Sequence, residues 1–158
     1  KGVYTMTSKH FISKKEAKRI WESMAAYGID ISGENLEVAT LKSISAYYIG
    51  GKPMIFQNER IIPSVYLLNY RNPSKNIVTV DEGAEPHILN GSDVFAPGIV
   101  SIDSNIRKVD MVFIKSIKGY FIAVGLAEMD ADEIMKTRKG RAVHIIHFPG
   151  DDMIRAFS

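Results

Sequence analysis

The chain has 158 residues, 46% hydrophobic and 24% charged, with a net charge of +2 and no cysteine. That is enough for one medium domain or two small ones of ordinary composition. Without cysteine, disulfides, thiolate metal sites and cysteine nucleophiles are excluded, which agrees with a reducing cytoplasm as the expected compartment. No apolar run approaches the roughly 20 residues of a membrane span, and no signal peptide is recognisable from Lys1 onward.

The first element is a helix. Ser13-Lys14-Lys15-Glu16 has the spacing of a capping box, and Gly28 marks the stop. Ala17, Ile20, Trp21, Met24 and Tyr27 fall on one face, and Lys14, Lys15, Lys18 and Arg19 on the other. The basic face reads either as solvated surface or as a nucleic-acid contact. Strand-like runs follow at Leu36–Leu41, Ile44–Ile49, Met54–Phe56 and Arg60–Ile62, with a tight hairpin at Gly50-Gly51 and a turn at Asn58-Glu59. Val65–Tyr70 reads as a short helix capped by Ser64. The breaker-rich segment from Arg71 to Asn76 divides the chain into an N-terminal unit of residues 1–72 and a C-terminal unit of residues 73–158.

The second unit opens on a corner. Val78-Thr79-Val80 predicts a strand, Asp81-Glu82-Gly83-Ala84 a turn, and Glu85–Asn90 two turns of helix with Pro86 in the first turn and Gly91 as stop. Gly83 allows φ > 0 or a close backbone approach. Free amides at such a helix start suit a phosphate, whereas Glu82 and Glu85 would repel one, so an anion site and a purely structural corner both stand. Val94-Phe95-Ala96 starts another strand, which Pro97-Gly98 ends or bends. Strands are expected at Asp110–Lys115 and at Tyr120–Ala127, the latter with Gly125 as a bulge or close contact. Asp130 is expected to cap a short helix to Thr137. A last strand is expected over Met153–Phe157, after a turn at Asp151-Asp152.

Lys136, Arg138, Lys139 and Arg141 cluster around Gly140, reading as an RNA contact or a solvated turn. His144 and His147 are three apart on a strand, hence on opposite faces, which argues against a shared metal. His144 suits either base stacking or partial burial. No P-loop, dinucleotide fingerprint or nucleophile–base motif is present, and no cofactor is expected. Residues 1–72 hold 10 lysines and arginines against 6 carboxylates, a balance of +4. Residues 73–158 hold 10 against 12, a balance of −2, so RNA binding by this half must rest on a local patch.

The ordered pattern D-x-G-A, N-G and P-G-I, followed by V-D-M-V-F-I, F-I-A-V-G-L-A and K-G-R-A-V-H, resembles a PUA domain, the RNA-binding module of pseudouridine synthases and archaeosine transglycosylases. PUA domains commonly carry Gly-Asp where this chain has Val109-Asp110. Upstream, S-K-H-F-I-S-K-K-E, G-G-K-P-M-I-F and I-I-P-S-V-Y-L-L resemble the pre-PUA domain of archaeal PUA proteins and of the malignant-T-cell-amplified-sequence family of translation re-initiation factors. Ser64 stands where that family usually has Thr.

The resemblance implies an α+β protein: a small α+β N-terminal domain, then a PUA-type mixed β pseudo-barrel with two short helices. In PUA complexes RNA lies along the first short helix, the turn before it and the closing strands. The expected RNA-binding residues are therefore Gly83, Ala84, His87, Asn90, Gly91, Lys136, Arg138, Lys139, Arg141 and His144. The implied function is non-catalytic recognition of structured RNA in translation, with tRNA or rRNA as ligand and the small ribosomal subunit or a translation factor as partner; no DNA or membrane partner is expected. The alternatives are an accessory RNA-guiding subunit of a modification enzyme and a module that binds protein alone.

Overall fold

The computed structural model describes residues 5–158. The first unit is one antiparallel sheet in chain order: β1 (His10–Phe11), β2 (Glu37–Leu41), β3 (Ile44–Ile49), β4 (Lys52–Gln57) and β5 (Ile61–Pro63). Helix α1 (Lys14–Ala25) begins where the Ser13 hydroxyl accepts the Glu16 amide at 3.1 Å. Its buried stripe of Ala17, Ile20 and Met24 joins Val38, Tyr47 and Ile55 in one apolar cluster. Helix α2 (Val65–Tyr70) is capped by Ser64, as expected.

The second unit contains β6 (Ile77–Val80), α3 (Glu85–Leu89), β7 (Val94–Phe95), β8 (Ile99–Ile102), β9 (Met111–Ser116), β10 (Phe121–Ala127), α4 (Ala131–Thr137), β11 (Arg141–His147) and α5 (Asp152–Phe157). The strands pair in the order β7-β11-β10-β9-β6-β8, with β6–β9 parallel and the other pairs antiparallel. The two edge strands, β7 and β8, are joined only by the 3-10 turn Ala96–Gly98. That short link bends the sheet into a nearly closed pseudo-barrel filled by Val78, Val80, Ile99, Val112, Ile114 and Val143. Gly125 sits at a register shift where a Cβ would lie 2.3 Å from Val143 Cγ1 and 2.7 Å from the His144 carbonyl oxygen.

The outer face of this barrel supplies Met111, Phe113, Phe121 and Val124 to the same cluster that α1 covers. Tyr27 meets Phe113 edge-on at 5.1 Å. The Asn69 side chain satisfies both backbone groups of Phe121, donating at 2.9 Å and accepting at 2.8 Å. Ser74 and Asn76 are tied to both units: the Ser74 amide donates to Tyr27 and the Asn76 side chain to the Met111 carbonyl.

Two local expectations are corrected. Met153–Phe157 is helical, not a strand. Asp151 accepts the Ile154 amide at 2.9 Å as an N-cap, and Ile154 and Phe157, three apart, bury together against Ala39 and Phe56. Asp130 sits at the N-cap position of α4 but makes no cap bond; its carboxylate accepts the Lys108 amide at 2.7 Å instead. The turn before β9 keeps a glycine-like shape without glycine, because Val109 takes φ 71°. Asp110 locks that turn by accepting the Arg107 amide at 2.8 Å.

Candidate nucleic-acid interface

The corner after β6 is built by Asp81. Its carboxylate accepts the Ala84 amide at 2.8 Å, and its own amide donates to the Gly98 carbonyl at 3.0 Å. Gly83 does not adopt positive φ, and a Cβ there would meet only Asp81 Oδ1 at 3.4 Å. The turn therefore requires glycine neither for conformation nor for space. Glu85 turns inward and is 6% exposed, accepting from Ser116 Oγ at 2.5 Å and from the Tyr120 hydroxyl. The Ser116 and then the Tyr120 hydrogen bonds hold its carboxyl below the usual range. With the Ala84 amide occupied and an ionised Glu85 in the first turn, this helix start is not a phosphate cradle.

The corner instead walls a groove of about 490 Å³, lined among others by Gly83, Ala84, His87, Asp93, Phe95 and Pro97. Strand alternation buries Val94 and turns Phe95 outward, 55% exposed. Phe95 lies directly opposite Arg141 in the β7–β11 ladder, and the Ala96 amide donates to the Gly140 carbonyl at 2.9 Å. Strand β7 and its 3-10 turn thus bring the Gly83 corner and the basic Lys136–Arg141 turn to one edge of the barrel.

Asp93 organises that edge. One carboxylate oxygen lies 3.2 Å from the Arg141 guanidinium. The other accepts the Ile145 amide at 2.8 Å and lies 3.2 Å from His144 Nδ1. Burial alone would raise the Asp93 carboxyl, but the Ile145 amide, His144 and Arg141 outweigh it and hold it below the usual range. Glu128 holds the other arm of Arg141 at 3.2 Å. Arg141 is thus a positioned cation rather than a free one. Lys136, Arg138 and Lys139 are exposed, and no carboxylate of the described residues pairs with them.

The expected residues divide accordingly. Gly83, Ala84 and His87 share the groove, and Arg141 and His144 adjoin it through its Asp93, with Arg141 also opposite its Phe95. Asn90 is exposed at the end of α3. Gly91 is a packing position, where a Cβ would come within 2.7 Å of the Phe148 ring. His144 is exposed and His147 fully buried, so the two histidines do face opposite ways. Among the described residues no group of three or more metal-ligating side chains converges. Sequence reasoning missed Phe95, Asp93 and Glu128. The alternation Val94-in, Phe95-out was the one available signal for Phe95.

A PUA domain model matches residues 76–149, and a model described as Domain of unknown function (DUF1947) matches residues 8–71. The chain is 33% identical to Uncharacterized protein MJ1432 of Methanocaldococcus jannaschii, over 90% of this chain and 93% of that protein. It is 32% identical to Translation machinery-associated protein 20 of Schizosaccharomyces pombe, over 68% of this chain and 63% of that one. A solved structure of a conserved PUA domain protein from Thermoplasma acidophilum superposes with a TM-score of 0.95 at 77% identity, covering 96% of this chain and 100% of that one. The fold is therefore a PUA-type pseudo-barrel preceded by a pre-PUA sheet. The chain belongs to the family that joins these two domains, with archaeal members and the eukaryotic translation machinery-associated protein 20.

Proposed function

We propose that this protein is a non-catalytic RNA-binding factor of the translation apparatus, recognising structured RNA, tRNA or rRNA, with an unpaired segment at the edge between β7 and β11. The observation that carries this reading is the Phe95–Arg141 pair: an outward aromatic ring beside a guanidinium fixed by two carboxylates. An aromatic face stacks any base, and cations beside it hold the sugar–phosphate chain. His87 borders the same groove and adds a donor for a base edge. The relationship to a translation machinery-associated protein supports translation as the setting.

The test is fluorescence titration of the intact chain with a labelled RNA hairpin carrying an unpaired 3′ tail, repeated across salt concentrations. Affinity should fall log-linearly with salt, by about 0.7 per phosphate contact on a single strand. Absence of binding, or binding indifferent to salt, overturns the reading. Turnover of nucleotides or RNA by the pure protein would overturn its non-catalytic part.

A further inference from the structure

We propose that the RNA track does not end on the PUA domain but crosses a junction groove onto the basic face of α1, with Arg60 and Arg19 as phosphate contacts. This rests on the RNA reading above and adds a second contact surface to it. A row of cross-strand pairs links the two surfaces. His144 on β11 is paired with Leu126 on β10, and Leu126 with Met111 on β9, so the three side chains share the barrel's outer face. Leu126 and Met111 then form one wall of a second groove, about 490 Å³, whose other walls include Ser23, Ala26 and Arg60 of the first unit. Ser23 lies one helical turn beyond Arg19.

Arg19 reaches Tyr47 Oη at 3.5 Å and Gln57 Oε1 at 3.4 Å, both neutral groups. Gln57 is paired with Ile61 across the turn that carries Arg60. Arg19 thus reaches the strand end beside the turn that carries Arg60, and among the described residues neither arginine has a carboxylate partner. Lys15 and Lys18 continue the exposed basic face along α1. The opposing charges nearby are Glu16, whose field acts on the same Tyr47 hydroxyl as Arg19, with Glu22, Glu59 and Asp110; Asp110 is already engaged by the Arg107 amide.

The helix itself supports a polyanion partner. Lys14, Lys15, Lys18 and Arg19 crowd its first half, and its last turn has no basic residue. That is the unfavourable end for cations against the helix dipole. The first unit's balance of +4 has the sign that fits a phosphate chain.

The experiment uses the intact chain and the same labelled hairpin, comparing wild type with Arg19→Gln/Arg60→Gln and with Lys139→Gln. The inference predicts that both variants weaken binding. The double variant should lower the salt slope by about 1.4 and reduce affinity roughly tenfold or more near ~0.1 M salt. If Lys139→Gln weakens binding and the double variant leaves affinity and slope unchanged, the inference fails while the RNA reading stands. If only the double variant weakens binding, a track shared with β11 is wrong. If wild type shows no salt-dependent binding, the RNA reading fails and takes this inference with it.

Discussion

The Nε2 atom of buried His147 accepts the Val65 amide at 3.0 Å, joining the last barrel strand to the first turn of α2. The bond sits beside an apolar cluster drawn from both sheets, and Tyr48 adds a second bridge by donating to the Phe157 carbonyl at 2.9 Å. Neither unit keeps its buried surface if the other unfolds. We predict one cooperative thermal transition for the intact chain, with calorimetric and van't Hoff enthalpies in agreement. Two resolved transitions, or an isolated segment of residues 73–158 as stable as the whole, would show that the junction contributes little.

Because His147 Nε2 is an acceptor, the network assigns the ring proton to Nδ1, which donates to Asp151 at 2.7 Å. Burial opposes ionisation of Asp151, but the His147 contact and the Ile154 and Phe148 amides outweigh it and lower its pKa. In the unfolded chain this carboxyl titrates at about 3.9. The folded state therefore binds fewer protons there, and stability is complete above that value and lost as pH falls through the lower folded pKa. Asp151→Asn should cost about 1–3 kcal/mol at neutral pH and flatten the acid limb of the stability curve. An acid limb as steep as wild type in denaturant titrations would reject this role.

Val109 holds a left-handed backbone with a β-branched side chain that is 71% exposed. Its strain is therefore not repaid by packing. Val109→Gly should stabilise the protein by roughly 1 kcal/mol, raising the melting temperature by about 2–4 °C after the flexibility cost of glycine is counted. A lower melting temperature would mean that the valine makes a compensating contact.

The glycines at positions 83 and 125 should respond in opposite ways. Gly83→Ala places a methyl at ordinary contact distance from Asp81 and should change stability by less than about 0.5 kcal/mol. Gly125→Ala drives a methyl into Val143 and into the β11 backbone and should cost about 1–3 kcal/mol. Chemical denaturation of the two variants checks the contrast; equal effects would contradict the packing described for β10 and β11.

Local chemistry explains what was legible from residues alone. Ser13 and Ser64 sit immediately before apolar-periodic runs, so their helices could be read directly. Gly125 within an apolar strand announced a close approach. Two failures share a different cause, because a long-range partner decided them. Asp130 has every local reason to cap α4, yet Lys108, 22 residues away, claims its carboxylate. The five residues Met153–Phe157 are too short for periodicity to separate helix from strand, and docking on β4 selects the helix. Gly83 suggested an anion-binding turn for another reason: Asp81 occupies the Ala84 amide from only three residues away, a local side-chain cap that the turn's glycine overshadowed. The edge where Phe95 meets Arg141 depends on β7 pairing with β11 across 46 residues, which no local pattern encodes.

The most direct test of the central claim is the effect of Phe95→Ala on RNA affinity at several salt concentrations. Stacking is worth about 1–3 kcal/mol per base and carries no counterion term, so affinity should fall roughly ten- to a hundredfold with the salt slope unchanged. Phe95→Trp should retain binding. Lys139→Gln should show the converse pattern, a lower slope with a smaller loss of affinity. Wild-type affinity in Phe95→Ala, under conditions where the intact chain binds RNA, would contradict the site at β7 and β11.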